Sequence, residues 1–217
     1  WNHPLRRPMS IASATDGAVS IIYKIFGDVT KILSEKKTGD TVELMGPLGN
    51  TFTNWKNGSY PILVGGGVGL APILNLKHEC DSNKVDHTII IGARTGNEHF
   101  MTHEPDNDIY LTSDDGKNGE KGNVMGPLER IIHEKNNPYI YACGPEPMLE
   151  AVGKFAMSNN VPAQLSVESY MGCGIGLCQG CVVSRQNGEV KDHSYHQKYS
   201  LVCLDGPVYE AKDIHIG

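Results

Sequence analysis

Between Tyr60 and Glu168 short apolar runs alternate with stretches of helical period. The runs "YPILV", "HTIIIGA", "DIYLT", "YIYAC" and "AQLSVE" are rich in Ile, Val, Leu and Tyr and bounded by turn residues, which predicts strands buried on both faces. Between them, "APILNLKHEC", "GPLERIIHEKN" and "EPMLEAVGKFAMSN" repeat apolar residues every three to four positions and predict helices. This alternation predicts a doubly wound parallel-sheet domain over residues 59–167. Residues 1–58 have a different texture. "GAVSIIYKIF" and "DTVELMGPL" have strand character, "VTKILSEKKTGD" between them is a short helix or loop, and "WKNGSYP" is a linker. Residues 168–217 show little helical period and are rich in glycine and cysteine. The expected class is α/β plus β, in three segments.

Composition narrows the function. The 217 residues carry a net charge of −6. They contain no basic block of the kind that binds nucleic acid. No apolar run reaches the roughly 18–20 residues of a membrane span. "WNHPLRRPMSIAS" lacks the apolar stretch of a signal peptide. Of the six cysteines, four fall in the last quarter, which suits a local metal site in a reducing compartment better than a disulfide framework. A cytoplasmic protein is expected.

Cys173, Cys178 and Cys181 form C-x4-C-x2-C, and Cys203 follows in "YSLVCLDGPV". Three thiolates on one loop with a distant fourth is the plant-type arrangement for a [2Fe–2S] cluster. Gly172, Gly174, Gly176 and Gly180 let such a loop take unusual dihedrals and bring backbone N–H groups to sulfur. A structural zinc site is the alternative, although zinc more often uses paired C-x2-C knuckles. Disulfides are a third reading. Cys80, at a helix end, reads as an inert thiol.

"YPILVGGGVGLAPI" is a strand, a glycine turn and a helix start, the arrangement that offers backbone N–H groups to a pyrophosphate. The match to G-x-G-x-x-G is incomplete, because Pro72 stands at the third glycine. No acidic residue follows the next strand, where "IGARTGNE" offers Arg94 instead. The loop alone fits a nucleotide site or a tight turn. "CGPEPML" ends a later strand at the same predicted sheet edge, where doubly wound folds bind ligands. Asp114 and Asp115, in "TSDDG", end a third strand there and fit ribose acceptors or a solvated turn. Near the start, Arg7 and Ser10 flank Pro8, and a guanidinium beside a hydroxyl suits a phosphate. Tyr23 and Lys24 add an aromatic face and a charge. An exposed strand end explains the same residues.

In this order, R-P-M-S, G-G-G-V-G-L-A-P with C-G-P-E-P-M, and C-x4-C-x2-C…C resemble the ferredoxin-reductase superfamily. "MGPLGNTF", "DDGKNGEKGNV", "ESYMGCGIGLCQGCVV" and "VCLDGPVY" narrow the resemblance to the electron-transfer subunits of type B dihydroorotate dehydrogenases. The resemblance implies a partial flavin-binding β-barrel over 1–58, a pyridine-nucleotide domain over 59–167 and a small [2Fe–2S] domain over 168–217. The chain begins almost at the R-P-x-S segment, before which family members carry further barrel strands. Arg7, Pro8, Met9 and Ser10 match that flavin segment, and Ile22, Tyr23 and Lys24 the second flavin strand, where lysine replaces the usual arginine. Val29 and Thr30 stand where a Gly-Thr or Thr-Thr pair contacts the flavin diphosphate. Gly65, Gly66, Gly67 and Gly69, with Cys143, Gly144, Pro145 and Met148, match the nucleotide loops. Cys173, Cys178, Cys181 and Cys203 match the cluster ligands.

The implied activity passes electrons from NADH through FAD and the [2Fe–2S] cluster to the FMN of a separate dihydroorotate dehydrogenase catalytic subunit, in a heterotetramer of two copies each. A nicotinamide yields two electrons as hydride and the cluster accepts one at a time, so a flavin must mediate. No general base is expected on this chain. Two alternatives are a related flavin and iron–sulfur subunit of a hydrogenase or transhydrogenase, and a non-catalytic zinc-stabilised nucleotide-binding module.

Overall fold

The computed structural model describes residues 6–15, 17–186 and 198–216. Its centre is a seven-stranded sheet. In chain order the strands are β3 (Tyr60–Gly66), β4 (Thr88–Ala93), β5 (Ile109–Ser113), β6 (Glu120–Lys121), β7 (Pro138–Cys143), β8 (Ala163–Ser166) and β11 (Val208–Glu210). In space they run β11-β8-β7-β3-β4-β5-β6. All neighbours are parallel except β11, which pairs antiparallel with β8. The chain leaves β3 towards β4 on one side and later returns to β7 on the other. The order therefore reverses between β3 and β7, and a switch point of this kind, at the strands' carboxyl ends, is where doubly wound sheets bind ligands.

The apolar runs alternate their side chains between two cores. On one face Leu63, Ile89, Ile91 and Tyr141 pack against helix α2 (Leu70–Ser82) through Leu70, Ile73 and Leu76. On the other, Ile62, Val64, Ile90 and Ile140 meet helices α3 (Met125–Ile131) and α4 (Glu146–Ser158). Cys181, Leu201, Val202 and Cys203 join this second core. The cysteine-rich segment is thus packed on the central sheet, and it also gives that sheet its edge strand β11. A short hairpin, β9 (Val182–Ser184) with β10 (Tyr199–Leu201), lies within the same segment.

The N-terminal segment holds an antiparallel ribbon of β1 (Ile11–Thr15) and β2 (Ala18–Ile21), then helix α1 (Gly27–Ser34). The expected strand over "DTVELMGPL" does not form, and "GAVSIIYKIF" is laddered only over Ala18–Ile21. The physical reason is the ladder. An alternating apolar segment becomes a strand only when a neighbour takes its backbone groups, and among the described residues no third strand joins the ribbon. Val42 and Leu44 are left 46% and 80% exposed.

Candidate redox site

Two loops meet at the switch point. Gly65 pairs with Cys143 across β3 and β7, so the turn after each strand emerges beside the other. A Cβ on Gly66 would lie 2.7 Å from Met148 Sδ, one on Gly69 would lie 2.4 Å from the Cys143 carbonyl, and one on Gly144 would lie 2.4 Å from Met148 Cε. These three glycines are small because the loops press together. Gly67 differs, with φ +57° and open space around it, so its requirement is the left-handed backbone. Pro72 falls in the first turn of α2, where its missing N–H costs nothing. The fold thus brings together Gly65, Gly66, Gly67 and Gly69 with Cys143, Gly144, Pro145 and Met148.

Cys143 is 2% exposed. Burial pushes its thiol up to about 12, partly offset by a hydrogen bond with Ser166. Burial likewise pushes Cys80 up to about 12, in keeping with an inert thiol. Asp115 braces its own turn: one carboxylate oxygen accepts the N–H groups of Gly96 at 3.0 Å and Lys117 at 3.1 Å. These bonds, that from Lys117 foremost, hold its carboxyl below the usual range. Asp114 and Arg94 are exposed at the same edge.

The cysteines are assembled by the β9–β10 hairpin. Val182 pairs with Leu201, and the Val202 N–H donates to the Cys181 carbonyl at 2.8 Å, which carries Cys203 to Cys181. The Cys203 N–H then points at Cys181 Sγ, 3.4 Å away. Cys173 Sγ accepts the N–H groups of Ile175 and Cys178, each at 3.4 Å. These bonds, led by that from Cys178, draw the Cys173 thiol down to about 6. Cys203 is pushed up by burial and by the neighbouring Cys181 thiol. A Cβ on Gly172 would sit 3.3 Å from Cys178 Sγ, so a larger residue there would crowd that thiol.

Backbone hydrogen bonds thus link Cys178 to the Cys173 sulfur and Cys203 to the Cys181 sulfur. Among the described residues no three His, Cys, Asp or Glu side chains converge as ligands of one metal ion. A tetrahedral zinc needs all four sulfurs about 2.3 Å from a single point. A [2Fe–2S] cluster needs two thiolates at each iron. Backbone N–H groups aimed at the Cys173 and Cys181 sulfurs are what a loop around cluster thiolates supplies.

The flavin-type residues gather at one end of the ribbon. The Ile11–Ile21 pairing brings Arg7, Pro8, Met9 and Ser10, which precede β1, beside Ile22, Tyr23 and Lys24, which follow β2. Arg7, Pro8, Ser10 and Lys24 are exposed, while Met9, Ile22 and Tyr23 are half-buried. Val29 is half-buried in α1 and Thr30 is buried. The Thr30 hydroxyl donates to the Phe26 carbonyl at 2.8 Å and accepts the Phe26 N–H at 2.7 Å. It thereby fastens the start of α1.

Sequence reasoning missed Asn50, which ties the N-terminal segment to the loop after Cys203. In the sequence it is one polar residue after a glycine, indistinguishable from a turn.

Comparison with known proteins gives the following. Residues 168–215 match the family model for the iron–sulfur cluster binding domain of dihydroorotate dehydrogenase B. Residues 63–154 match that for an oxidoreductase NAD-binding domain. The chain is 37% identical over 210 residues to the dihydroorotate dehydrogenase B (NAD+) electron transfer subunit of Caldanaerobacter subterraneus, covering 97% of this chain and 81% of that one. It is 38% identical over 218 residues to the Bacillus velezensis subunit of the same name, covering 97% and 80%. Among solved structures, a chain of the NADH-dependent reduced ferredoxin-NADP oxidoreductase, studied for flavin-based electron bifurcation, superposes with a TM-score of 0.82. Its identity is 28%, covering 98% of this chain and 75% of that one.

Proposed function

The chain belongs to the family of dihydroorotate dehydrogenase B (NAD+) electron transfer subunits, and from that membership we propose how its residues divide the work. It is an oxidoreductase subunit that passes electrons between NADH and a dihydroorotate dehydrogenase catalytic subunit by way of FAD and a [2Fe–2S] cluster. When bound, the flavin supplies the exchange between a hydride pair and single electrons that the cluster requires.

Every other task is positional. The Gly65–Gly69 and Cys143–Met148 loops bind the pyridine nucleotide at the switch point, with backbone N–H groups towards the pyrophosphate. Arg7 and Ser10, with the start of α1, bind the flavin diphosphate, and Tyr23 and Met9 line its neighbourhood. Cys173, Cys178, Cys181 and Cys203 would hold the cluster through their thiolates. The domain limits implied by these roles are 1–58, 59–167 and 168–217, with β11 crossing from the third to the second. The partner contains FMN and assembles with this chain as two copies of each. Leu177, Leu204 and Tyr170 are 79%, 56% and 96% exposed around the cysteine loop, an apolar rim suited to docking that partner.

The observation that carries this reading is that Cys181 and Cys203 pack into the core of the central sheet while backbone N–H groups are aimed at the Cys173 and Cys181 sulfurs. The test is Cys178→Ser in the assembled complex. NADH oxidation with an artificial flavin acceptor is expected to persist while orotate reduction is lost, and the visible bands of the cluster are expected to change. Orotate reduction at the wild-type rate would remove the cluster from the route.

A further inference from the structure

We propose that Asn50 is a positioning residue that fixes the Cys203 arm of the cluster site against the N-terminal segment, to which the flavin is assigned above. Its side chain is fully engaged with one loop, residues 205–208, which begins two positions after Cys203. Asn50 Oδ1 accepts the Val208 N–H at 2.8 Å, and Nδ2 donates to the carbonyls of Asp205 at 2.9 Å and Val208 at 2.8 Å. The Asn50 N–H donates to the Gly206 carbonyl at 2.8 Å. One acceptor and two donors on a single planar group match one N–H and two carbonyls, a set that neither aspartate nor alanine reproduces.

The neighbouring residues extend the clamp in both directions. Gly49 has φ +76°, and a Cβ there would lie 2.7 Å from the Gly206 carbonyl oxygen and 2.8 Å from Pro207 Cδ, so the two backbones lie flush. Beyond it, Thr53 exchanges two hydrogen bonds with buried Gln164 on β8, at 2.9 and 2.7 Å, and its carbonyl accepts from Tyr141 at 3.0 Å. Before it, Met45 and Leu48 lie 3.3 and 3.7 Å from the Cβ position of Gly174 in the cysteine loop. One stretch, residues 45–53, thus touches the three-cysteine loop, the fourth-cysteine arm and the nucleotide sheet. Electron tunnelling falls steeply with added distance, so an element that pins this junction sets the flavin-to-cluster rate. The inference rests on the route proposed above.

The experiment uses the full-length holoprotein and the variant Asn50→Ala, mixed anaerobically with NADH in a stopped-flow cell. Flavin reduction is expected to keep its wild-type rate and its KM for NADH, while cluster reduction slows at least tenfold. The electron paramagnetic resonance signal of the fully reduced cluster should not change. Hydrogen exchange should show the Val208 amide losing protection by tenfold or more. Cluster reduction at the wild-type rate despite a deprotected Val208 overturns the proposal, and so does equal slowing of both phases, which marks a general folding defect. Should Asn50→Ala fail to fold, Asn50→Asp serves. It keeps the acceptor for Val208 and turns lone pairs on two carbonyls, so the same phase must slow, and an unchanged phase overturns the proposal. A wild-type protein whose cluster is not reduced by NADH sinks the route itself, a result distinct from either variant outcome.

Discussion

Replacing Gly69 by alanine isolates one feature of the nucleotide crevice. Gly69 sits at φ −62° and ψ −7°, a conformation alanine adopts freely, so no backbone strain is introduced. The added Cβ would lie 2.4 Å from the carbon and oxygen of the Cys143 carbonyl and 2.5 Å from Gly144 N. All three are backbone atoms and cannot rotate away. Ordinary contact begins near 3.4 Å, so the two loops must separate by about 1 Å, the difference between 3.4 and 2.4. Overpacking of this kind costs about 1–3 kcal/mol. For a domain of this size each kcal/mol lowers Tm by about 2–4 °C, so a fall of about 2–12 °C is expected. Function should suffer more than stability, because a displacement of about 1 Å in a positioning element can cost about 100-fold in rate. The assay is kcat/KM for NADH with an artificial electron acceptor, beside thermal unfolding of the same preparation. If kcat/KM stays within threefold of wild type while the variant remains folded, the two loops do not form one nucleotide cradle.

Two further outcomes test other parts of the molecule. At the opposite edge of the sheet, Asp108 accepts from Lys135 at 2.8 Å and from Thr88 at 3.0 Å. Burial pushes the Asp108 carboxyl up, but these bonds outweigh it and hold the group below its ordinary value. A depressed folded pKa gives stability that is present above about pH 4, the unfolded value, and is lost as pH falls through the folded one. Asp108→Asn should therefore cost stability at neutral pH and flatten the acid limb of a Tm-against-pH curve, and an unchanged acid limb would refute the assignment. Cys80 and Cys143, both pushed up to about 12, should resist iodoacetamide at pH 8, where a thiol of that pKa is only about 0.01% thiolate. Mass spectrometry should find both alkylated only after denaturant is added, and labelling of either in the native protein would contradict its burial.

The parts legible in the sequence were those whose causes are local. Strands buried on both faces must be apolar throughout, so β3, β4, β5, β7 and β8 announced themselves, and the three helices between them did so by period. The cysteine loop was legible because metal ligation fixes spacing along a short stretch. Features chosen by distant partners were not. "DTVELMGPL" has the alternation of a strand but finds no ladder partner among the described residues. β11 is three residues of a cysteine-rich segment and becomes a strand only because β8 offers an edge. Asn50 finds its side-chain partners 155 and 158 positions away, beyond the reach of any local pattern.

The glycine loop shows how spatial contacts add to what a sequence string leaves open. As a string it fitted a nucleotide cradle or a tight turn, and the proline at its third position weakened the first reading. Its glycines prove to serve separate ends. Gly66 and Gly69 are small because the loop after β7 lies against them, and Gly67 because the chain turns left-handed there. A proline at position 72 offends neither requirement, since the helix has already begun at Leu70. What identifies the crevice is the pairing of two loops across β3 and β7, a relation between segments far apart in the chain. Deviation from a one-loop fingerprint is therefore weak evidence against a nucleotide site whenever a second loop supplies the close contact that the missing glycine would have allowed.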